Sequence, residues 1–317
     1  MTDRDPKPAL RRADAYGVGV TRGRLAGPGW VMPLRGVVRP AGGPAPTPLQ
    51  RIWDVAELLP SGAALGGWSA AYLLGATDLD GRGPSGTESR PVPVVLPPPL
   101  LIRARPELVR WRSDLEEGDV IEIDGVPCTT GSRTGFDLAR LGTLRAGVIA
   151  LDVLGRQAVV RPSAVLAYAR RHPRWRGKPQ SYEAVRLADP RARSSGETRL
   201  RLTWVLDAGL PVPEANATIR GPDGILLGIG DLLDPEAGLL GEYDGAGHRD
   251  ERQHALDNAR EEWFEDNGLV VVRASAPDLW PANRRRTVLR LQTGHRRASA
   301  RDRNADTWTW TPAPRLD

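Results

Sequence analysis

The chain has 317 residues, of which 40% are apolar and 26% are charged, so it is long enough for two or more domains with hydrophobic cores. No apolar run approaches the ~20 residues of a membrane helix, and the first residues lack the apolar segment of a secretory signal, so we expect a cytoplasmic protein. The single cysteine, Cys128, excludes an internal disulfide and a cysteine-based metal cage.

Charge is distributed unevenly along the chain, although the net charge is only +5. Residues 1–193 carry 28 basic and 19 acidic side chains, residues 194–283 carry 7 and 17, and residues 284–317 carry 9 and 3. Basic surface attracts phosphate backbones, whereas a cluster of acids attracts metal ions. This distribution suits a metal-dependent nuclease, although an arginine-rich composition by itself also produces a basic excess.

The first predicted elements are a short helix that Thr21 can cap and a β-hairpin across 30–38. Arg22, Arg24 and Arg35 are candidate DNA-phosphate contacts on these elements. A small supporting domain whose arginines are only solvated is the alternative. A Pro/Ala/Gly-rich linker follows at 40–48.

The middle of the chain predicts a mixed α and β region. Its helices are expected at 49–59, 67–74, 136–141 and 148–154, and its strands at 91–99 and 120–129. The densest basic cluster, 170–178, has Trp175 inside it. It suits either a nucleic-acid backbone contact or an exposed interdomain loop.

From Ser194 the pattern predicts an αβββαβ order. The expected elements are a helix at 197–208, strands at 215–219, 225–231 and 239–244, a helix at 249–267 and a strand at 269–274. A helix after Trp280 and a basic, poorly ordered tail complete the prediction.

Acidic side chains recur at the ends of two of these strands. Asp231 closes one strand, and Glu242 and Asp244 occupy alternate positions of the next, so they share a face. Like charges placed in this way repel each other by about 1 kcal/mol unless a cation is present. Mg²⁺ or Mn²⁺ takes one or two carboxylates together with water and phosphate oxygens, so phosphodiester hydrolysis is the expected chemistry. An ordinary turn at 234–238 and a hairpin signal at Asp244-Gly245 are the alternative reading of these acids.

Several motifs of the back half resemble a known family. They are Ser194-Ser195-Gly196-Glu197, Gly209-Leu210-Pro211, Asp231-Leu232, Glu242-Tyr243-Asp244-Gly245 with His248-Arg249, and Gly268-Leu269-Val270-Val271-Val272-Arg273. Together they are similar to the Vsr-like branch of the PD-(D/E)XK nucleases, which implies a restriction-endonuclease-like domain. Thr21-Arg22-Gly23-Arg24-Leu25 and Gly67-Trp68-Ser69 resemble the front half of abortive-infection-type antitoxins, which begin with a winged helix.

The nuclease resemblance implies a role for each matching residue. Asp231 and Glu242 would hold Mg²⁺ or Mn²⁺ with Asp244 beside them, and Glu197 would approach from the first helix. His248 is the implied proton-transfer residue. Glu197 also completes a capping box with Ser194, which is a competing structural role. Arg273 is expected to contact phosphate or to pair with the acids.

The resemblance has departures that leave a second function open. No lysine follows Glu242, and Ile229, Gly230 and Gly241 stand where relatives carry other residues. The chain is therefore either a DNA endonuclease or nickase, in repair or in defence against foreign DNA, or an antitoxin-like DNA-binding regulator with an inactive nuclease fold. A subunit of a larger defence complex is a third reading, and a homodimer is also left open.

These observations predict four segments. They are a winged-helix-like DNA-binding domain at 1–45, a mixed α/β middle domain at 46–193, the nuclease-like domain at 194–292 and a flexible basic tail at 293–317. The expected fold class is α+β or α/β with several domains.

Overall fold

A computed structural model describes residues 7–42, 46–83, 86–245 and 262–314. The chain is a mixed α and β protein, as predicted, with three β-sheets in the described ranges. It divides into two compact units, 1–150 with 157–185 and 151–156 with 186–317. The predicted division into four segments stays a prediction. None of the helices in the described residues is long and apolar enough to span a membrane.

The N-terminal part of the first unit is a small sheet with two short helices. Its elements are β1 (Leu10–Arg11), α1 (Arg12–Gly17), α2 (Arg22–Ala26), β2 (Trp30–Leu34) and β3 (Val37–Pro40). The strands pair antiparallel in the order β1-β3-β2. Thr21 Oγ1 accepts a hydrogen bond from the Arg24 N–H at 3.3 Å, so the predicted helix cap is confirmed. The predicted hairpin is also present.

The next elements build a second sheet and a group of helices. They are α3 (Pro48–Ala56), β4 (Ala64–Leu65), α4 (Gly67–Leu73), β5 (Val92–Leu96), β6 (Leu108–Arg112), β7 (Val120–Ile123), β8 (Val126–Thr129), α5 (Gly131–Leu141), α6 (Leu144–Arg156), α7 (Pro162–Arg171) and α8 (Lys178–Leu187). The sheet order is β6-β5-β4-β8-β7. Buried apolar side chains such as Ile52, Leu65, Val94 and Leu96 form its core.

The single strand predicted at 120–129 is in fact a hairpin. β7 and β8 pair antiparallel, and Ile123 lies opposite Val126 across a two-residue turn. Asp124 and Gly125 both have positive φ angles, 50° and 76°. Two consecutive residues in the left-handed conformation are typical of a tight hairpin turn. The Asp-Gly pair therefore reverses the chain, although the apolar alternation continues through it.

The basic cluster at 170–178 surrounds an aromatic residue that faces a buried arginine. Arg133 is fully buried and forms ion pairs with Asp119 and Asp137, each at 2.7 Å. The Arg133 guanidinium lies 4.5 Å from the ring centre of Trp175. The aromatic residue of the cluster therefore packs inside the first unit, and the exposed arginines around it lie at the end of α7 and in the loop to α8.

The second unit is built around one five-stranded sheet. Its main elements are α9 (Ser195–Leu202), a π-helical turn (Thr203–Asp207), β9 (Glu214–Arg220), β10 (Leu226–Asp234), β11 (Leu239–Asp244), a helical segment at 262–266, β12 (Val270–Ser275), α10 (Arg284–Ser299) and β13 (Thr309–Thr311). The order across the sheet is β12-β11-β10-β9-β13. β9, β10 and β11 are antiparallel neighbours, whereas β12 runs parallel to β11. The predicted strands of the back half are therefore confirmed.

Apolar side chains cover both faces of this sheet. Successive residues of a strand point to opposite faces, and Leu239 and Leu240 accordingly belong to different clusters. The first cluster contains Trp204, Leu232 and Leu291, and the second contains Phe264 and Trp308. Because apolar side chains cover both faces, carboxylates within this sheet are unusual, and those of β10 and β11 are candidates for a functional site.

The flexible tail predicted after residue 292 is wrong for its described residues. α10 continues to Ser299, and β13 pairs antiparallel with β9 through Trp310 and Ile219. Trp308 is 9% exposed and lies in the second apolar cluster. Burial of large aromatic side chains offsets the entropy of ordering the end of the chain, although its composition is polar and basic.

Candidate functional site

Two acids of the predicted site are neighbours on adjacent strands. The register pairs Leu232 with Gly241 and therefore places Asp231 opposite Glu242. The Tyr243 N–H donates to Asp231 Oδ2 at 2.7 Å, and the Asp231 N–H donates to Glu242 Oε1 at 3.3 Å. Each carboxylate is therefore oriented by the backbone of β10 or β11, which is a rigid support for a ligand site.

Glu242 is the more buried member of the pair. It is 5% exposed, whereas Asp231 and Asp244 are half-buried. Asp244 lies two residues beyond Glu242 on β11 and so points to the same side of the strand. Burying a carboxylate is costly unless opposite charge or hydrogen bonds compensate. A cation near Asp231 and Glu242 would provide such compensation.

Arg273 lies on the other side of Glu242. β12 is parallel to β11, and the register pairs Arg273 with Glu242 directly. The three residues therefore form a row across three neighbouring strands, in the order Arg273, Glu242, Asp231. The two roles that the sequence left open for Arg273, phosphate contact and pairing with the acids, both agree with this position.

Asn216 extends the row onto β9, and the sequence analysis did not single it out. The register of β9 with β10 places Asn216 opposite Asp231. Its φ angle is +53°, a conformation that asparagine tolerates better than most residues. Asn216 Oδ1 is buried and accepts no hydrogen bond from the residues that the structure describes. An asparagine between two alanines of a predicted strand, Ala215 and Ala217, was the only hint in the sequence.

Glu197 is held at the start of α9 by hydrogen bonds. Ser194 Oγ accepts from the Glu197 N–H at 3.1 Å, so Ser194 caps the helix as predicted. The Glu197 carboxylate accepts from the Arg193 N–H and from Asn216 Nδ2, both at 2.8 Å. Glu197 is thus held by Asn216, which lies opposite Asp231 in strand register. The catalytic role of Glu197 stays a prediction.

Tyr243 joins the acid pair to α9. Its ring lies against Gly196, where an added Cβ would overlap it. Burial raises the pKa of Tyr243, Asp244 raises it further, and Arg199 lowers it. The tyrosine is therefore a neutral spacer that fixes the distance between α9 and β11.

The two glycines beside the acids have packing roles. A Cβ at Gly241 would lie 3.1 Å from the Trp204 ring, and one at Gly230 would overlap the end of Leu240. Both departures from the family pattern therefore accommodate large apolar side chains of this chain. They do not by themselves remove a carboxylate.

The donor set fits a hard divalent cation through two carboxylates. Mg²⁺ commonly uses one or two protein carboxylates and fills its other positions with water and substrate oxygens. Within the described ranges, no group of three or more His, Cys, Asp or Glu residues is arranged to hold a metal. His248 lies outside the described residues. The predicted third ligand, Asp244, and the predicted proton-transfer residue therefore stay predictions.

The predicted DNA contacts of the first unit lie on exposed elements. Arg22 and Arg24 are exposed on α2, and Arg35 is exposed at the turn between β2 and β3. Gly36 provides the positive φ of that turn, +91°. No protein-family model matches the chain, and no curated protein matches it either.

Proposed function

We propose that the second unit is a metal-dependent DNA endonuclease or nickase that hydrolyses phosphodiester bonds. The observation that carries the proposal is the neighbouring pair Asp231 and Glu242, oriented by backbone N–H groups on adjacent strands. The order of a helix, three antiparallel strands and a parallel fourth strand supports the resemblance to the Vsr-like PD-(D/E)XK domain.

Each residue of the row has a defined task in this proposal. Asp231 and Glu242 hold the ion, with Asp244 beside them. A Mg²⁺ or Mn²⁺ ion held there would supply an activated water and would offset charge at the scissile phosphate. Arg273 binds a phosphate oxygen next to Glu242, because a guanidinium matches the geometry of phosphate. His248 remains the candidate that accepts the proton of the attacking water.

Plasmid cleavage tests the proposal. Supercoiled plasmid is incubated with the full chain and Mg²⁺ or Mn²⁺, and nicked and linear products are measured. We expect Asp231→Asn and Glu242→Gln each to lower the rate by at least about 100-fold, which corresponds to about 3 kcal/mol of transition-state stabilisation. Glu236→Gln is the matched control, because Glu236 is an exposed acid on the turn between the same strands.

Metal binding provides a readout that does not depend on cleavage. Calorimetric titration with Mn²⁺ should show one site in the wild type and in Glu236→Gln, and a weakened site in Asp231→Asn. Equal cleavage by all four proteins, or Mn²⁺ affinity that is unchanged by Asp231→Asn, would refute the assignment of the ion to this pair.

A DNA-binding regulator is the second candidate, and the N-terminal geometry favours it. A capped short helix and an adjacent hairpin present Arg22, Arg24 and Arg35 on exposed positions, as in a winged helix. Binding to the DNA upstream of the protein's own reading frame, measured against salt, tests this candidate. If the protein is a DNA-binding regulator, the double substitution Arg22→Ala/Arg24→Ala should abolish DNA binding, and Asp231→Ala should leave it unchanged.

A further inference from the structure

One exposed side of α10 carries a stripe of arginines. Arg286, Arg290, Thr293 and Arg297 are spaced by four, three and four residues, so they lie on one face of the helix, and all four are exposed. The buried face consists of Thr287, Leu291, Gly294 and Ala298, each one residue after a stripe position, so it lies about 100° around the helix from the stripe. We name Arg286, Arg290 and Arg297 the arginine stripe.

The helix that carries the stripe is seated tightly on the sheet. A Cβ at Gly294 would lie 2.7 Å from Val272 Cγ2 and 3.1 Å from Leu239 Cδ1, so the helix backbone approaches β12 and β11 closely. A groove of about 390 Å³ lies between the stripe and β12, which is an edge strand among the described residues. The stripe therefore has a fixed position relative to β12.

The middle arginine of the stripe contacts β12. Arg290 Nη2 donates a hydrogen bond to the carbonyl oxygen of Arg273, the residue paired in register with Glu242. From there the arginines continue along α10 to Arg297. The groove lies on the face of the sheet that α10 covers, whereas Glu242 and Arg273 alternate with Gly241 and Val272 and so project from the opposite face.

Positive charge on this surface is not balanced by ion pairs with the described acids. α10 contains no aspartate or glutamate, and none of the stripe arginines lies within ion-pair distance of an acid that the structure describes. The charges of two stripe arginines act on the carboxylate of Asp278. Hydrogen bonds from Ser275 lower its pKa, and the charges of Arg290 and Arg286 lower it further.

We infer that the arginine stripe binds the phosphate backbone of the DNA on which the proposed nuclease acts. This inference rests on the proposed function. Arg297 lies 11 residues beyond Arg286, which is a rise of about 16 Å at 1.5 Å per residue, or about five nucleotides of one strand at 3.4 Å each. Guanidinium groups bind phosphate through two parallel hydrogen bonds, so arginines in this spacing suit a regular row of phosphates.

DNA binding without cleavage tests the inference. Fluorescence anisotropy of a labelled 20-base-pair duplex is measured in EDTA over a range of salt concentrations for the wild type, Arg286→Gln/Arg297→Gln and the control Arg285→Gln/Arg296→Gln. The control removes the same charge from a neighbouring exposed face of α10. Thermal melting of both variants checks that the fold is retained, and Arg286→Lys/Arg297→Lys should restore part of the affinity.

We expect the stripe variant to reduce the salt slope by about 2 and to weaken binding on the order of tenfold, because each lost phosphate contact removes about 0.9 from the slope. The control should change affinity less than twofold. Equal effects of the two pairs, no effect of the stripe pair, or equally tight binding of poly-glutamate would overturn the inference.

The two proposals fail in different ways. Stripe-dependent binding together with plasmid cleavage that Asp231→Asn does not abolish would overturn the proposed function and keep the stripe as a DNA surface. Cleavage that depends on Asp231, combined with unchanged DNA binding by Arg286→Gln/Arg297→Gln, would keep the nuclease and overturn the stripe.

Discussion

Gly196 is the position where a single methyl group should disturb the acid pair most directly. A Cβ there would overlap the ring of Tyr243, which lies between Glu242 and Asp244 on β11. The backbone φ of Gly196 lies outside the left-handed region, so alanine is not excluded by conformation. Gly196→Ala should therefore destabilise the fold through steric overlap with Tyr243.

The expected magnitude follows from two opposing effects. Replacing a helical glycine by alanine ordinarily gains about 1 kcal/mol, whereas over-packing a core costs about 1–3 kcal/mol. Because Tyr243 must move away from α9, we expect Gly196→Ala to lower the free energy of unfolding by up to about 2 kcal/mol. With Tyr243→Ala already present, the same substitution should raise it by up to about 1 kcal/mol.

Urea denaturation of the four proteins of this double-mutant cycle measures the coupling. The expected coupling energy is about 2 kcal/mol, with a change of sign between the two backgrounds. Gly23→Ala is the control, because Gly23 is also in a helix and a Cβ there has nothing within 4 Å. The same cost of Gly196→Ala in both backgrounds would refute the assigned contact.

Three further predictions concern stability. Burial raises the pKa of Asp152 to about 6 against the opposing charge of Arg201, so the folded state binds this proton more tightly than the unfolded state does. The free energy of unfolding should therefore rise as pH falls from about 6 to about 4, by up to about 3 kcal/mol, and Asp152→Asn should remove this rise in pH-dependent denaturation curves. Arg133→Ala leaves the buried carboxylate of Asp119 without its ion-pair partner and leaves Asp137 paired with Arg140 alone, so denaturation should show a loss of about 3–5 kcal/mol. A loss below about 1 kcal/mol would contradict the ion pairs of Arg133. A chain that ends at residue 306 lacks Trp308 and β13, and faster hydrogen exchange of the β9 amides should report the unprotected edge, whereas unchanged exchange would contradict the pairing.

Patterns between near neighbours in sequence predicted much of the fold. Sequence patterns predicted α3, α4 and α10, and they predicted β9 together with β10 and β11, the two strands that carry Asp231 and Glu242. The same reasoning missed β6 and took β7 and β8 as one strand, because Asp124 and Gly125 lie within an apolar alternation.

Contacts between distant residues accounted for most of what was missed at the site. Asn216 lies 19 residues from Glu197, and no local pattern connects the two side chains. The order of the tail depended on Trp308 reaching an apolar cluster formed by β9, β10 and β11. Such contacts depend on strand register and on the shape of the packed core, which local propensities do not specify.

The sequence by itself determined the strands β9 to β12 and the placement of two acids on neighbouring strands, because turn chemistry and apolar periodicity act over a few residues. Most of the helix predicted at 249–267 lies outside the described residues. Only the tertiary structure decided which polar groups meet. It set Asp231 against Glu242 through backbone N–H groups, tied Glu197 to Asn216 and placed Arg290 on the carbonyl of Arg273. The physical reason is that a buried polar group needs a hydrogen-bond partner. Packing of the whole chain decides which group is close enough to be that partner, and it is seldom a neighbour in sequence.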